Sequence, residues 1–264
     1  MFHCHPCLLT RLAKIQYNEG VLEQYLTGSI NPLNLIRSLK GFGEVSMAPI
    51  TDQASGECEY FIFCLWSSHT MKAAKGLYFL MGHIHLSLIR DRSIKNRVQV
   101  KSDDLENALK YFRYTLMCDP ENWEAWFRLA QTYGQQVDED MSWSAELMNN
   151  QREDLVKRER RCILSFIMAL ATSVRFADDS EETQKNLTAM YYEFAYRIYA
   201  SSRAPMNMET WQMNGFVRHF SGTQGQGMYK QLAHKEVTVQ IALRFAVHLL
   251  EKALVKSPEN WKYV

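Results

Sequence analysis

The most informative segment of the sequence reads Asn107-Ala-Leu-Lys-Tyr-Phe-Arg-Tyr-Thr-Leu-Met-Cys-Asp-Pro-Glu-Asn-Trp123. A related segment, Phe245-Ala-Val-His-Leu-Leu-Glu-Lys-Ala-Leu-Val-Lys-Ser-Pro-Glu-Asn-Trp261, follows 138 residues later. Both begin with an apolar helical pattern that carries Ala108 or Ala246 near its start, and both end in Pro-Glu-Asn-Trp. Internal similarity of this kind is typical of proteins built from repeated structural units. We therefore expect an array of similar helical units.

The pattern resembles a tetratricopeptide repeat, in which the second helix of one pair leads into the first helix of the next. Weaker copies place Tyr78 and Tyr191 at the position of Trp126, and Cys162 at the position of Ala108. Small residues let paired helices approach closely, and aromatic residues fill the space around them. The predicted packing signature comprises Ala108, Phe112, Pro120, Trp123, Trp126, Leu129, Tyr133, Trp143, Phe166, Ala246 and Pro258.

The pattern predicts an all-α fold, a tetratricopeptide-like stack of antiparallel helix pairs over residues 71–264. The two helices of each predicted pair are farther apart in sequence than in a standard repeat. We therefore expect insertions near 91–102, 134–158 and 201–236. Residues 1–70 form a leading segment that we expect to be partly helical and to which we assign no function. The pattern stops before another pair is complete, so we expect a fragment of a longer solenoid.

Composition excludes several classes of protein. The chain has 264 residues, with 30 Lys and Arg against 29 Asp and Glu, so direct nucleic-acid binding through a basic surface is not expected. The longest uncharged apolar stretches, 76–89 and 162–174, are too short to cross a bilayer. The chain has six cysteines, but a chain of this size does not need disulfides for stability. We therefore expect free thiols and a reducing compartment, either the cytosol or the nucleus.

The sequence offers no convincing catalytic, cofactor or metal site. His3, Cys4, His5 and Cys7 are dense, but a second pair of zinc ligands at a usual spacing is missing, so a flexible terminus is the favoured interpretation. The glycines of 222–227 lack the Lys-Ser/Thr of a phosphate-binding loop. We therefore predict a protein that is not an enzyme, with no cofactor, no metal and no small-molecule substrate.

Two segments have both a structural and a functional interpretation. The charged run 152–161 is typical of a solvated helical face, but Arg158, Arg160 and Arg161 are also candidates for contact with an acidic partner. The aromatic run 191–199 predicts helix packing in preference to a peptide groove. A clamp for a carboxylate terminus is not expected, because Phe127 and Gln131 occupy the positions at which such arrays carry Asn or Lys.

One block is more specific than a general repeat. It consists of Trp123-Glu-Ala-Trp-Phe-Arg-Leu-Ala-Gln-Thr-Tyr133, then Asp138-Glu-Asp-Met-Ser-Trp-Ser-Ala-Glu-Leu147, then Arg160-Arg-Cys-Ile-Leu-Ser-Phe-Ile-Met-Ala169. This succession resembles the cabin family, which contains the calcineurin-binding protein of animals and the fungal histone transcription regulator. Two positions depart from the family pattern, since the residue before Arg160 is not Gln and Phe166 replaces Tyr. The likeness is specific over 123–169.

The resemblance implies a scaffold subunit of a nuclear HIR/HIRA-type histone chaperone complex. Such a subunit would support replication-independent nucleosome assembly and the transcriptional regulation of histone genes through protein–protein contacts. Its partners would be the other subunits of the complex, with core histones contacted indirectly, and no membrane. Two alternatives stay open: a regulatory module that binds and inhibits a calcineurin-like phosphatase, and a repeat adaptor of another complex.

Overall fold

The computed structural model describes residues 20, 22–28, 76–89, 102–141, 151–212 and 237–257. Within these ranges all regular secondary structure is helical, which confirms the all-α prediction. The helices are α1 (22–26), α2 (76–89), α3 (Ser102–Cys118), α4 (Trp123–Met141), α5 (Arg152–Phe176), α6 (Glu181–Ser201) and α7 (Val239–Lys256). A 3-10 helix, Glu209–Trp211, follows α6. None of the helices in these ranges is long and apolar enough to cross a membrane.

The first Pro-Glu-Asn-Trp sequence forms the turn between α3 and α4. α3 ends at Cys118, two residues before Pro120, whose ring is incompatible with a continuing helix. Asn122 caps α4, since its Oδ1 accepts a hydrogen bond of 3.0 Å from the backbone N–H of Ala125. The indole N–H of Trp126 donates to the carbonyl of Pro120 at 2.9 Å. Local sequence therefore fixes how α4 leaves the turn.

α4 and α5 form a closely packed antiparallel pair. The rings of Phe127 and Phe166 lie 6.1 Å apart, and the thiol of Cys162 donates to the carbonyl of Ala130 at 3.2 Å. The contacts run in opposite directions along the two helices, since 127 meets 166 and 130 meets 162. The alanine at position 130 leaves the backbone carbonyl accessible to the facing helix.

α2 with α3 and α6 with α7 pack in the same antiparallel manner. A Cβ placed on Gly82 would lie 2.8 Å from the ring of Phe112, so the close approach of α2 to α3 requires glycine there. The rings of Phe194 and Phe245 meet edge to face, with centroids 5.6 Å apart, between α6 and α7. The helices thus pair consecutively along the chain.

Neighbouring pairs share one hydrophobic core. Phe166 of α5 stacks on Phe194 of α6, with ring centroids 5.1 Å apart. α4 and α6 run parallel to one another, because Arg128 meets Asn186 and Asp138 meets Arg197. The tetratricopeptide form of this stack stays a prediction.

The predicted packing residues are buried wherever the structure describes them. This set comprises Ala108, Phe112, Pro120, Trp123, Trp126, Leu129, Tyr133, Phe166 and Ala246. Trp143 and Pro258 lie outside the described residues. The residues selected from the repeat pattern therefore belong to the interior of the helical array.

The leading segment 1–70 supplies part of this interior through α1. The side chains of Leu22, Tyr25 and Leu26 are almost fully buried in the same core. The Tyr25 hydroxyl donates to the carbonyl of Leu164 at 2.7 Å, and its ring meets Trp126 edge to face. A segment without an assignment from sequence is thus bound between α4 and α5.

The helices extend into two of the predicted insertions. α4 continues to Met141 and α5 begins at Arg152, so 142–150 is the part of the segment 134–158 that lies outside the described residues. The extensions carry apolar side chains, and Val137 and Val156 are buried together in a second, smaller cluster with Met206. Residues 202–212 of the third segment fold back onto this region.

Replacing Trp126 with Ala should lower the free energy of unfolding by roughly 3–5 kcal/mol, because the change removes a fully buried ring and leaves a cavity. Urea denaturation followed by circular dichroism measures the change. The control is Phe176→Ala, since this phenylalanine is 48% exposed and should contribute far less. Equal effects of the two substitutions would contradict the proposed position of Trp126.

Candidate functional site

The three arginines predicted to contact a partner lie on α5, and each has an acceptor on a different element. Arg158 pairs with Asp140 near the end of α4. Arg161 pairs with Glu23 of α1 at 2.7 Å. Arg160 donates to the backbone after α6. The structure therefore distributes these side chains around α5 and does not gather them into one patch.

Arg160 holds the segment that follows α6. Its guanidinium donates to the carbonyls of Glu209, Thr210 and Gln212, at 2.9, 3.2 and 3.1 Å. Arg152, two turns earlier on α5, pairs with the Glu209 carboxylate. These bonds reach carbonyl groups at the end of a short helix, where the carbonyl of Glu209 also accepts from the backbone N–H of Gln212. Arg160 thus fixes the path of the chain across α5.

A row of polar side chains joins α4 to α6. Glu124 accepts from Asn186 at 3.1 Å, and Arg128 donates to Asn186 at 3.2 Å. Farther along, the Gln131 amide donates to both carboxylate oxygens of Glu193 at 2.8 Å. These residues recur every three or four positions on α4, which places them on one face of that helix. We call this set, together with Asp138 and Arg197 described next, the polar ladder.

The ladder ends in a bidentate ion pair. Arg197 Nη1 and Nη2 lie 2.7 and 2.5 Å from the two carboxylate oxygens of Asp138. The Arg197 side chain is largely buried and passes directly over Gly134, where a Cβ would lie 2.7 Å from Nη2. Gly134 therefore provides the space in which the guanidinium crosses from α6 to α4. Such two-point geometry orients the helices more strictly than a single contact.

Glu159 is a buried carboxylate beneath this ion pair. It lies on α5, is 1% exposed, and places Oε2 3.9 Å from Arg197 Nη1. Neither of its carboxylate oxygens has a hydrogen-bond partner. Burial raises the pKa of Glu159 to about 7, against the lowering effect of Arg197. This is also the residue that departs from the Gln of the family pattern described above.

Glu23 is a charged residue that no sequence pattern singled out. Its two carboxylate oxygens bind Arg113 of α3 and Arg161 of α5, at 2.8 and 2.7 Å. These partners lie 90 and 138 residues away in the sequence, so no local periodicity connects them. Glu23 thus joins three helices at the position where α1 enters the core. Neither contact of Glu23 follows a spacing that a sequence pattern could detect.

His83 and His85 lie two residues apart on α2 and have separate partners. His83 lies 3.2 Å from Ser87 Oγ, whereas His85 lies 3.3 Å from Asp104 Oδ1, so the two histidines do not share a site. Among the residues whose placement is described, no group of three or more His, Cys, Asp or Glu could hold a metal. Residues 3–7 and 222–227 lie outside the described ranges.

The aromatic run on α6 divides between the interior and the surface. Tyr191 and Phe194 are buried, whereas Tyr196 and Tyr199 are 54% and 47% exposed. Phe127 is fully buried, and Gln131 belongs to the polar ladder. The run therefore combines core packing with an exposed tyrosine surface.

Comparison with known proteins gives one consistent family. The family model of the HIR3 helical bundle domain matches residues 9–257. The chain is 34% identical over 247 residues to the histone transcription regulator 3 homolog of Aspergillus fumigatus, which covers 94% of this chain and 11% of that relative. Identity to the homolog of Emericella nidulans is 36% over 247 residues, with the same two coverages.

A relative with lower sequence identity carries the same name. The histone transcription regulator 3 homolog of Schizosaccharomyces pombe is 28% identical over 218 residues, or 81% of this chain and 12% of that relative. The chain thus spans about a tenth of the length of the curated relatives it matches. The resemblance noted from sequence was specific over 123–169. The family match begins at residue 9 and therefore also includes α1.

Replacing Glu159 with Gln should remove a pH dependence of stability. The folded protein holds a proton on Glu159 up to a pKa of about 7, whereas the ordinary value is 4.5. Its contribution is therefore complete below about pH 4.5 and is lost as the pH rises through 7. The stability of Glu159→Gln relative to the original chain should increase by on the order of 3 kcal/mol between pH 4.5 and 8.

Urea titrations at several pH values measure this difference. The exposed Glu182 on α6 provides the matched control, since Glu182→Gln makes the same chemical change at a position outside the core. A constant difference between Glu159→Gln and the original chain across the range would contradict the raised pKa of the buried Glu159 carboxyl group.

Replacing Gly134 with Ala should destabilise the protein by about 1–3 kcal/mol, because the added methyl group overlaps Arg197 and disturbs its pair with Asp138. The same change in an unobstructed helix stabilises by about 1 kcal/mol. Gly76→Ala on α2 is the matched control, since nothing lies within 4 Å of its added Cβ. Thermal unfolding should show a lower melting temperature for Gly134→Ala and a higher one for Gly76→Ala. A stabilising effect of Gly134→Ala would contradict the close passage of Arg197 over Gly134.

Proposed function

This chain belongs to the HIR3 helical bundle family, and from that membership we propose that it is a non-catalytic scaffold module of a HIR/HIRA-type histone chaperone complex. It acts in the nucleus and holds other subunits through protein–protein contacts. In this role it supports replication-independent nucleosome assembly and the transcriptional regulation of histone genes. The observation that carries the proposal is the family match over residues 9–257, which contains all the described helices.

The chemistry of the described residues agrees with a scaffold. The buried polar groups bind one another across helices, as Asp138 and Arg197 do, and so position the array. The thiol of Cys162 is buried, which raises its pKa well above the usual value and leaves it unreactive. Such groups stabilise an arrangement of helices and offer no open centre for a reaction.

The two alternatives have less support. The relatives reported above are named as histone transcription regulators, and none of those names mentions a phosphatase or its inhibition. A general repeat adaptor would explain the helices but not the identity of 34–36% to these proteins. We therefore favour the histone chaperone complex over both.

Arg158, Arg160 and Arg161 remain the candidates for partner contact. The side chains of Arg158 and Arg161 are about one-third exposed, at 35% and 33%, although each pairs within the chain. An acidic partner can share a guanidinium that already binds one carboxylate, because five N–H donors are available. Arg158 lies on α5, where it pairs with Asp140 near the end of α4, and it is the most direct position for a test.

Affinity capture of the tagged chain, with mass spectrometry of bound proteins at moderate salt, tests the proposed function. We expect recovery of the other subunits of a HIR/HIRA-type complex. Recovery of a chaperone or a phosphatase without those subunits would contradict the proposal. The experiment also asks whether core histones accompany the subunits.

The same capture tests the candidate surface through Arg158→Glu. This variant should lower recovery of the subunit that binds there, because it places a carboxylate against an acidic partner. Lys157→Glu is the matched control, since Lys157 is adjacent, more exposed, and pairs along its own helix with Glu153. If both variants recover the same amount of every subunit, Arg158 is not a contact residue.

A further inference from the structure

Arg197 of α6 lies between two carboxyl groups that belong to two other helices. Its Nη1 and Nη2 donate to Asp138 of α4, and Nη1 also lies 3.9 Å from Oε2 of Glu159 on α5. The first contact is a pair of hydrogen bonds, whereas the second is too long for a hydrogen bond. One guanidinium therefore faces two acceptors and binds one of them.

The two carboxyl groups differ in their access to water. The side chain of Asp138 is 44% exposed, whereas that of Glu159 is 1% exposed and neither of its oxygens has a hydrogen-bond partner. Water can bind an oxygen of Asp138 that Arg197 releases, but it has no such access to Glu159. An ionised Glu159 would therefore gain more from a guanidinium N–H than Asp138 would lose, because charges attract more strongly where water is excluded.

The charged and titratable groups that face Glu159 come from three helices. Burial raises the pKa of Glu159 to about 7, while Arg197 of α6 lowers it and Asp138 of α4 raises it further. On α5 itself, burial holds the pKa of the Cys162 thiol well above its usual value, so this neighbour stays neutral near pH 7. Glu193 of α6 lies on the far side of Cys162 and belongs to the polar ladder.

The other acidic side chains that neighbouring elements bring to α5 have arginine partners of their own. They are Glu23 with Arg161, Glu209 with Arg152, and Asp140 with Arg158. Among the residues that the structure describes, Arg197 is thus the one cation that faces Glu159. An ionised Glu159 has this guanidinium as its available charged donor.

The guanidinium has little distance to cover. A shift of about 1 Å brings Nη1 of Arg197 within hydrogen-bond distance of Oε2 of Glu159. Gly134 of α4 does not hinder such a movement, since a Cβ at this position would lie 2.7 Å from Nη2 and 2.9 Å from Nε. The glycine that admits the guanidinium thus also leaves it free to move across α4.

We propose that Arg197 is a proton-dependent switch between α4, α5 and α6. While Glu159 is protonated, Arg197 binds Asp138 through two hydrogen bonds. When Glu159 releases its proton to water, Nη1 donates to the new carboxylate and the guanidinium moves toward α5. The contact with Asp138 then loses its two-point geometry, which orients α4 against α6.

The switch extends to the surface of the protein. Cζ of Arg197 lies 5.9 Å from the centre of the Tyr196 ring, which is 54% exposed. Movement of the guanidinium changes this cation–aromatic contact and leaves more of the negative charge of Asp138 to solvent. The loss of one buried proton is thereby converted into a change at the surface where α4 and α6 meet. A chain with Gln at position 159, as in the family pattern, would lack this switch.

Carboxyl carbon-13 NMR of the full chain tests the proposal, from about pH 5 to about pH 9, a range that brackets the pKa of Glu159. We expect the Cδ signal of Glu159 to titrate near pH 7 and the Cγ signal of Asp138 to shift with the same midpoint. Asp140 is the matched control on α4, since its partner is Arg158, and its signal should show no shift at that midpoint. Glu159→Gln assigns the first signal and should hold that of Asp138 constant near pH 7.

A double-mutant cycle gives an independent measurement. The coupling between Asp138 and Arg197 is obtained from urea denaturation of Asp138→Asn, Arg197→Gln and the double variant, at about pH 5.5 and about pH 8.5. We expect the coupling at the higher pH to be roughly half of that at the lower pH, because two hydrogen bonds are reduced to one. In a Glu159→Gln background the coupling should be the same at both values. The NMR titration decides alone if Arg197→Gln does not fold.

Three results would overturn the proposal. The first is a Glu159 signal that does not titrate in this range, and the second is an Asp138 signal that stays constant while Glu159 titrates. The third is the same Asp138 shift in Glu159→Gln, which would assign it to another group. The proposal goes beyond the scaffold function and does not rest on it, since capture of HIR/HIRA-type subunits and the titration of Glu159 can each fail alone.

Discussion

The burial of Trp126 is the constraint on which the array depends. Its indole N–H binds the carbonyl of Pro120 in the turn that separates α3 from α4, and its ring meets Tyr25. Tyr25 in turn donates to the carbonyl of Leu164 on α5. One fully buried side chain thus connects the turn, the first helix of a pair, the second helix and α1. Apolar area supplies the driving force, and the hydrogen bonds specify the arrangement, because each buried donor needs its acceptor.

The contacts between successive pairs combine two kinds of interaction. Phe166 and Phe194 stack in the core, whereas the polar ladder joins α4 and α6 along their length. Hydrophobic contact alone tolerates sliding of one helix along another, but the bidentate pair of Asp138 and Arg197 satisfies its geometry in one register. Glu159 adds a buried carboxylate that has no hydrogen-bond partner and lies 3.9 Å from Arg197 Nη1, and its burial makes the ionised form costly.

The repeat pattern made the buried residues predictable from sequence. Contacts that lie outside the repeat pattern were not predictable. Ala108 and Trp126 recur in a spaced pattern, so their burial follows from helical geometry. The likeness over 123–169 anticipated the family that the comparison shows. Glu23 and the crossing of Arg197 over Gly134 could not be found in this way, because each joins residues far apart in sequence at a unique position. Likewise, Arg158, Arg160 and Arg161 are neighbours in sequence but point around α5 to three different acceptors.

The position of α1 has a consequence for biosynthesis. Residues 22–28 leave the ribosome before α5, yet Tyr25 finds its acceptor on Leu164, 139 residues later in the chain. During that interval the binding site of Leu22, Tyr25 and Leu26 is incomplete, because α5 is still being translated. The nascent chain therefore carries an exposed apolar segment until α5 emerges, a period in which aggregation or binding by a chaperone competes with folding. The first described helix to be synthesised thus completes its native contacts only after the fifth has emerged.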